Sequence, residues 1–271
     1  FASGCSLRHQ LSNLQLRIIS GAFFGVVVLV AVWFGGLPFR ILCAFMAAGV
    51  YVEWRTIANA TGSSWLIRAT EFLFVAALGS MIAGLPPVLV FGLISAAVLV
   101  GLFARFADVS TGWLPAGIAY AGFPAACLAF LRGDDETGLV TALLLFATVW
   151  ATDIFAYFVG RSLGGPKLAP SISPGKTWTG AVGGVAAAVA ATLAVAAWFG
   201  PAGSPVFPFV IALVSVWSQI GDLFESWVKR RFGVKDSGTM IPGHGGVMDR
   251  VDGLVAAAVA LYALNAVARL I

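Results

Sequence analysis

The chain has 271 residues, of which 60% are hydrophobic and only 10% charged, and its mean hydropathy is +0.96. A soluble domain carries about a quarter charged residues, so this composition excludes an ordinary water-soluble globule and makes lipid the main solvent. The net charge of +4 comes without a basic run interleaved with aromatics, so no nucleic-acid partner is expected, and Cys5, Cys43 and Cys127 are too scattered for a disulfide framework or a zinc site.

Residues 1–15 form a polar N-terminal segment in which no cleavable signal peptide is apparent. A helix crossing the hydrocarbon core needs about 20 mainly apolar residues. Nine segments qualify in chain order: 16–35, 38–58, 67–84, 86–104, 113–131, 138–160, 178–199, 205–225 and 249–271. Gly84-Leu85-Pro86-Pro87 reads as a tight turn between the third and fourth. The ninth opens with Asp249, Arg250 and Asp252 in its first turn. The predicted fold class is therefore all-α, a polytopic integral membrane protein of about nine transmembrane helices.

Letting each span reverse the side sorts the positive charges. Arg8, Arg17, Arg55, Arg68, Arg105, Arg161, Lys167, Lys176, Lys229, Arg230, Arg231, Lys235 and Arg250 share one side, against Arg40, Arg132 and Arg269 on the other. The positive-inside rule then predicts a cytoplasmic N-terminus. Residues 16–131 carry few ionisable groups and read as a transmembrane scaffold and dimerisation region. Residues 132–271 read as the catalytic part, with polar cytoplasmic loops at 161–177 and 226–250. Gly21-xxx-Gly25 and Gly180-xxx-Gly184 are candidates for close helix packing.

Charge within a span costs about 2.5–3.5 kcal/mol on insertion scales and is usually retained for use. Asp153 lies well inside the sixth span, Asp222 and Glu225 end the eighth, and Asp249 and Asp252 open the ninth. Residues three and four apart share a helix face, which aligns Asp222 with Ser226 and Asp249 with Asp252. Carboxylates converging at one membrane surface beside lysines and arginines suit a magnesium–polyphosphate site. The alternative, simple pairing of these acids with Lys229, Arg230 and Arg250, stays open.

Loop 161–177 ends in Gly175-Lys176-Thr177, but the glycine that a P-loop needs earlier is Pro170, and no strand is expected before it. A flexible loop entering a helix at Thr177 can still present backbone N–H groups and Lys176 to phosphate. The glycines at 243, 245 and 246 allow a tight ligand-facing turn around His244, which reads as a phosphate contact or a structural hydrogen-bonder.

The run Ser226-Trp-Val-Lys-Arg-Arg-Phe-Gly-Val-Lys-Asp-Ser-Gly-Thr-Met-Ile-Pro-Gly-His-Gly-Gly-Val-Met-Asp-Arg-Val-Asp252 resembles the phosphatidate cytidylyltransferase signature S-x-x-K-R-x4-K-D followed by P-x-H-G-G-x-x-D-R-x-D. Thr152-Asp153-Ile-Phe-Ala-Tyr157 with Gly160-Arg161, Lys167-Leu-Ala-Pro with Ser173-Pro-Gly-Lys-Thr-Trp178, and Gly221-Asp222-Leu-Phe-Glu-Ser226 also look like motifs of that family. The resemblance covers roughly residues 148–253. It implies transfer of a cytidylyl group from CTP to phosphatidic acid, giving CDP-diacylglycerol and pyrophosphate, by a typically dimeric, inner-membrane enzyme that needs Mg²⁺. A monovalent cation such as K⁺ beside the Mg²⁺ is left open.

Carried over residue by residue, Asp222 and Asp249 match the metal-holding carboxylates. Lys229, Arg230, Arg250 and His244 match polar positions beside them that we assign to catalysis. Asp153, Ser173, Lys176, Ser226, Lys235 and Asp236 match polar positions that we assign to CTP and phosphate binding. A CTP-dependent polyprenol or dolichol kinase is the nearby alternative, and a transporter using intramembrane acids the distant one.

Overall fold

The computed structural model describes residues 13–60, 65–107, 112–199, 205–240 and 245–268. In chain order the helices are α1 (Asn13–Phe34), α2 (Gly36–Ile57), α3 (Trp65–Ile82), α4 (Pro87–Ala107), α5 (Leu114–Arg132) and α6 (Glu136–Leu163). A hairpin follows, β1 (Lys167–Ala169) and β2 (Ser173–Thr177), then α7 (Trp178–Phe199), α8 (Phe207–Arg231) and α9 (Met248–Ala268). Eight of these helices, α2 to α9, are long and apolar enough to cross a membrane, while the described apolar stretch of α1, Ser20–Phe34, is shorter. Large apolar side chains face outward along them, with Val88 and Trp198 each 85% exposed, as a lipid-facing surface requires. The all-α, multispanning expectation holds.

The structure departs from expectation at two polar segments. Within the predicted loop 161–177, residues 161–163 end α6 and residues 167–177 form an antiparallel hairpin, so that strands stand where none was expected. Its register is Lys167↔Thr177 and Ala169↔Ser173, with an irregularity between Lys167 and Ala169. The amide of Trp178 donates to Pro166 O across its open end (3.0 Å). Its chemistry excludes a P-loop as anticipated, since Pro170 stands at the hairpin turn. Helix α8 also runs six residues past its predicted end at 225, so Ser226, Lys229 and Arg230 are helical.

That extension has a local cause. Lys229, Arg230 and Arg231 occupy the last turn, where positive charge suits the negative end of the helix dipole. Gly233 then adopts φ +72°. Its amide donates to Arg230 O (3.1 Å) and that of Val234 to Lys229 O (3.0 Å), the paired bonds of a Schellman stop.

Small residues set the helix spacing in the C-terminal half. A Cβ on Gly180 would lie 2.6 Å from Ala156 O, and one on Gly184 would lie 2.9 Å from Thr152 O, so α6 and α7 touch backbone to backbone at the predicted Gly180-xxx-Gly184. A Cβ on Gly25, by contrast, would meet no described residue within 4 Å. Mid-bundle hydroxyls join α6 to both neighbours: Thr148 with Thr192 on α7 (2.9 Å) and Thr152 with Ser215 on α8 (2.7 Å). In the N-terminal half, Trp54 on α2 packs against Trp113, Tyr120 and Phe224, and its indole N–H donates to Trp113 O (2.9 Å). This aromatic cluster fastens α2 and α5 to the end of α8.

Candidate active site

A cavity of about 750 Å³ lies where the end of α6, the hairpin, the start of α7, the end of α8 and the start of α9 meet. Asp153, Asp222, Asp249 and Asp252 line it, with Arg161, Lys167, Ser173, Lys176, Tyr157 and Gln219. The helix ends deliver these groups through local contacts. Thr177 caps α7 by accepting from the Gly180 amide (3.1 Å), which fixes the hairpin over the cavity and Lys176 with it. A Cβ on Gly221 would lie 2.6 Å from Asp252 O, and one on Gly253 would lie 2.5 Å from Ser218 Oγ. This close α8–α9 crossing sets Asp222 beside Asp252.

The carboxylates are held by lysines. Lys176 on the hairpin forms an ion pair with Asp222. Lys229 Nζ hydrogen-bonds Asp249 Oδ1 (2.7 Å) and sits 2.7 Å from Glu225 Oε2, an ion pair without hydrogen-bond geometry. Asp249 Oδ2 further accepts from the amides of Ser237 and Gly246 and from Ser237 Oγ, each at 2.9 Å. The side chain of Asp249 is thus fixed on four sides. Arg161 Nη1 donates to Tyr157 Oη (2.7 Å), and both residues line the cavity.

Of the residues singled out in the sequence, Asp153, Ser173, Lys176, Asp222 and Asp249 line this one cavity, and Lys229 touches it through Asp249. Ser226, Arg230, Lys235, Asp236 and Arg250 are not among its lining residues. Ser226 sits one helical turn beyond Asp222. Arg230 instead clasps the hairpin turn, donating to Ile172 O and Val234 O (both 3.4 Å). Lys235, Asp236 and Arg250 are exposed. His244 lies outside the described residues. Sequence reasoning had not assigned Arg161, Lys167, Asp252, Tyr157 and Gln219 to the site, although all of these but Gln219 stood inside recognised motifs.

Among the described residues, the potential metal ligands lining this cavity are oxygen donors, and neither cysteine nor histidine is one of them. Among the described residues no three acids stand close enough to make a ready cage for a metal ion. One buried hydroxyl beside the acids, Ser218 Oγ, has no hydrogen-bond partner among the described residues.

Fold and cavity together define a polytopic membrane protein whose polar chemistry is gathered at one end of four helices. The relationship to known proteins is narrower than that class. The chain belongs to the cytidylyltransferase family, whose profile matches residues 15–268. It is 46% identical over 265 residues to a phosphatidate cytidylyltransferase of Brucella abortus (strain 2308), covering 95% of each chain. It is 33% identical over 270 residues to that of Bacillus subtilis (strain 168), covering 94% of this chain and 98% of the relative. The phosphatidate cytidylyltransferase of Rickettsia typhi (strain ATCC VR-144 / Wilmington) is 32% identical over 267 residues, covering 96% of this chain and 95% of the relative.

Proposed function

We propose that this chain transfers the cytidylyl group of CTP to phosphatidic acid, yielding CDP-diacylglycerol and pyrophosphate for phospholipid synthesis. The observation that carries the reading is the single cavity where Asp153, Asp222, Asp249 and Asp252 face Lys176, Lys167 and Arg161 at the end of a membrane bundle. Near-full-length identity to phosphatidate cytidylyltransferases supports the choice of substrates.

The reaction joins two anions. A phosphate oxygen of phosphatidic acid forms a bond to the α-phosphorus of CTP, and the bond from that phosphorus to the bridging β-oxygen breaks. Pyrophosphate leaves with the electron pair. The nucleophile is already ionised at neutral pH, so the site must orient and neutralise rather than deprotonate. Lys176, Lys167 and Arg161 supply positive charge at the cavity, where they suit the β- and γ-phosphates. Lys229 keeps Asp249 in place from behind.

Mg²⁺ fits the carboxylates among the described lining residues, since it takes one or two carboxylates and completes its shell with phosphates and water. Asp222 and Asp249 would hold the ion, with Lys176 released from Asp222 to the nucleotide. When bound, the ion would offset charge on the reacting phosphates.

The same reading places the cavity on the cytoplasmic side of a bacterial inner membrane, because alternating the nine spans read from the sequence assigns 13 of the 16 basic residues to that side. A homodimer joined through the N-terminal helices fits their exposed apolar faces, with residues 132–271 carrying the chemistry. The test is direct. Purified protein is incubated with cytidine-labelled CTP, Mg²⁺ and phosphatidate, and label is followed into the lipid phase. Lipid label that requires phosphatidate is expected. Label confined to water, or CDP released in its place, would overturn the assignment.

A further inference from the structure

Glu53 sits in the N-terminal half, on α2, 3% exposed, in a span that otherwise reads as scaffold. Among the described residues its carboxylate makes no bond within its own half. Oε1 accepts from the Val247 amide (2.8 Å), and Oε2 accepts from the Met248 amide (2.8 Å) and from Ser237 Oγ (2.8 Å). Helix α9 begins at Met248, and Val247 before it has no side-chain oxygen to cap the first N–H groups. A carboxylate from α2 does so instead, where negative charge also suits the helix dipole.

The contact is built closely. A Cβ on Gly238 would lie 2.9 Å from Glu53 Oε1, and one on Gly246 would lie 2.6 Å from it. Both glycines let the loop backbone wrap the carboxylate. On the preceding turn of α2, a Cβ on Gly49 would lie 3.1 Å from a Val247 methyl, so helix and loop are in contact there as well. Trp54, the next residue, is pinned in the aromatic cluster at the end of α8.

The groups that Glu53 holds are those that hold Asp249. Ser237 donates its amide to Asp249 Oδ2 and shares its hydroxyl between Asp249 Oδ2 (2.9 Å) and Glu53 Oε2 (2.8 Å). A hydroxyl carries one proton, so it bonds one carboxylate at a time and links the two. Gly246, whose amide also reaches Asp249, immediately precedes Val247.

We propose that Glu53 is a positioning residue for cytidylyl transfer: from the N-terminal half, it sets the Ser237 and Gly246–Met248 backbone and thereby the Asp249 carboxylate. The proposal rests on the reading of the cavity as the transfer site. Glutamine cannot replace it. Each glutamate oxygen accepts from a backbone N–H, so either orientation of the amide turns an NH₂ donor toward one of those donors.

The test uses the full chain in detergent with CTP, phosphatidate and Mg²⁺, comparing wild type, Glu53→Gln, Glu53→Asp, Ser237→Ala and the Glu53→Gln/Ser237→Ala double variant. Rates are scaled to folded protein, and amide hydrogen exchange is followed over residues 237–249. Small misplacement of a reacting-site group costs up to about 100-fold. Glu53→Gln is expected to lower kcat by about 10- to 100-fold with little change in KM for CTP and to speed exchange over 237–249 but not in α6 or α7. Glu53→Asp restores part of kcat. The double variant is no slower than Glu53→Gln, because both changes break one link.

Wild-type kcat and exchange in Glu53→Gln would overturn the proposal, as would losses that multiply fully in the double variant. If Glu53→Gln does not fold, Glu53→Asp decides: one methylene short of its donors, it must lower kcat and speed exchange, and wild-type values in both would overturn the proposal. A wild-type protein without turnover refutes the cytidylyl-transfer reading instead, and the exchange measurement still decides whether Glu53 positions the loop.

Discussion

Lys229→Met should destabilise the protein more than any other single change at the cavity. Lys229 Nζ lies 2.7 Å from Asp249 Oδ1 and 2.7 Å from Glu225 Oε2, and the side chains are 14%, 8% and 0% exposed respectively. Methionine keeps the apolar stem and removes the charge. The two carboxylate oxygens, at most about 5.4 Å apart, then repel by roughly 3 kcal/mol at an effective dielectric of about 20. Loss of one partner from a buried pair costs about 3–5 kcal/mol by experience elsewhere, so the two routes agree. The assay is reversible SDS unfolding in mixed micelles, followed by tryptophan fluorescence. Adding Glu225→Gln to Lys229→Met removes the more deeply buried uncompensated charge and should recover about half of the loss or more. A single variant within about 1 kcal/mol of wild type would refute the reasoning. So would a double variant less stable than the single.

Asp222→Asn and Asp249→Asn should each lower turnover by about 10²-fold or more, since a poorly held metal forfeits several kcal/mol of charge stabilisation. Steady-state rates and Mg²⁺ activation curves check this, and wild-type behaviour in both would remove them as ligands. Chelation of divalent ions should abolish turnover and Mg²⁺ should restore it; full activity in excess chelator would reject the metal. Gly180→Ala, whose Cβ would meet Ala156 O at 2.6 Å, should cost about 1–3 kcal/mol by forcing α6 and α7 apart. Unchanged SDS unfolding would show that the two helices part without cost.

The spans were legible because a run of about 20 apolar residues has one low-energy solution in lipid. Predicted 178–199 coincides with α7, and 113–131 differs from α5 by a residue at each end. The end of α8 was not, because Ser226, Lys229, Arg230 and Arg231 are polar enough to read as loop. Gly233, as the stop, and the i,i+4 pair Glu225–Lys229 were the available signals. The hairpin was hidden by its shortness and by Pro170, Pro174 and Gly175, which read as irregular chain.

The site itself was half visible. Asp153, Asp222 and Asp249 stood out as costly charges in or beside apolar spans, and the structure lines one cavity with all three. Glu53 obeys the same rule and was passed over because it lies near a helix end, in a half of the chain with few charges. What it bonds is 184 to 195 residues away in sequence. No local pattern announces that distance.

The central claim is that CTP gives up its α-phosphorus, with the cytidine, to a lipid. Two preparations of CTP, one labelled at the α-phosphorus and one at the γ-phosphorus, test it most directly when each is given to the purified protein with phosphatidate and Mg²⁺. The account predicts α-label in the lipid phase and γ-label in water as pyrophosphate. γ-Label in the lipid, with α-label left behind as CDP, would contradict it.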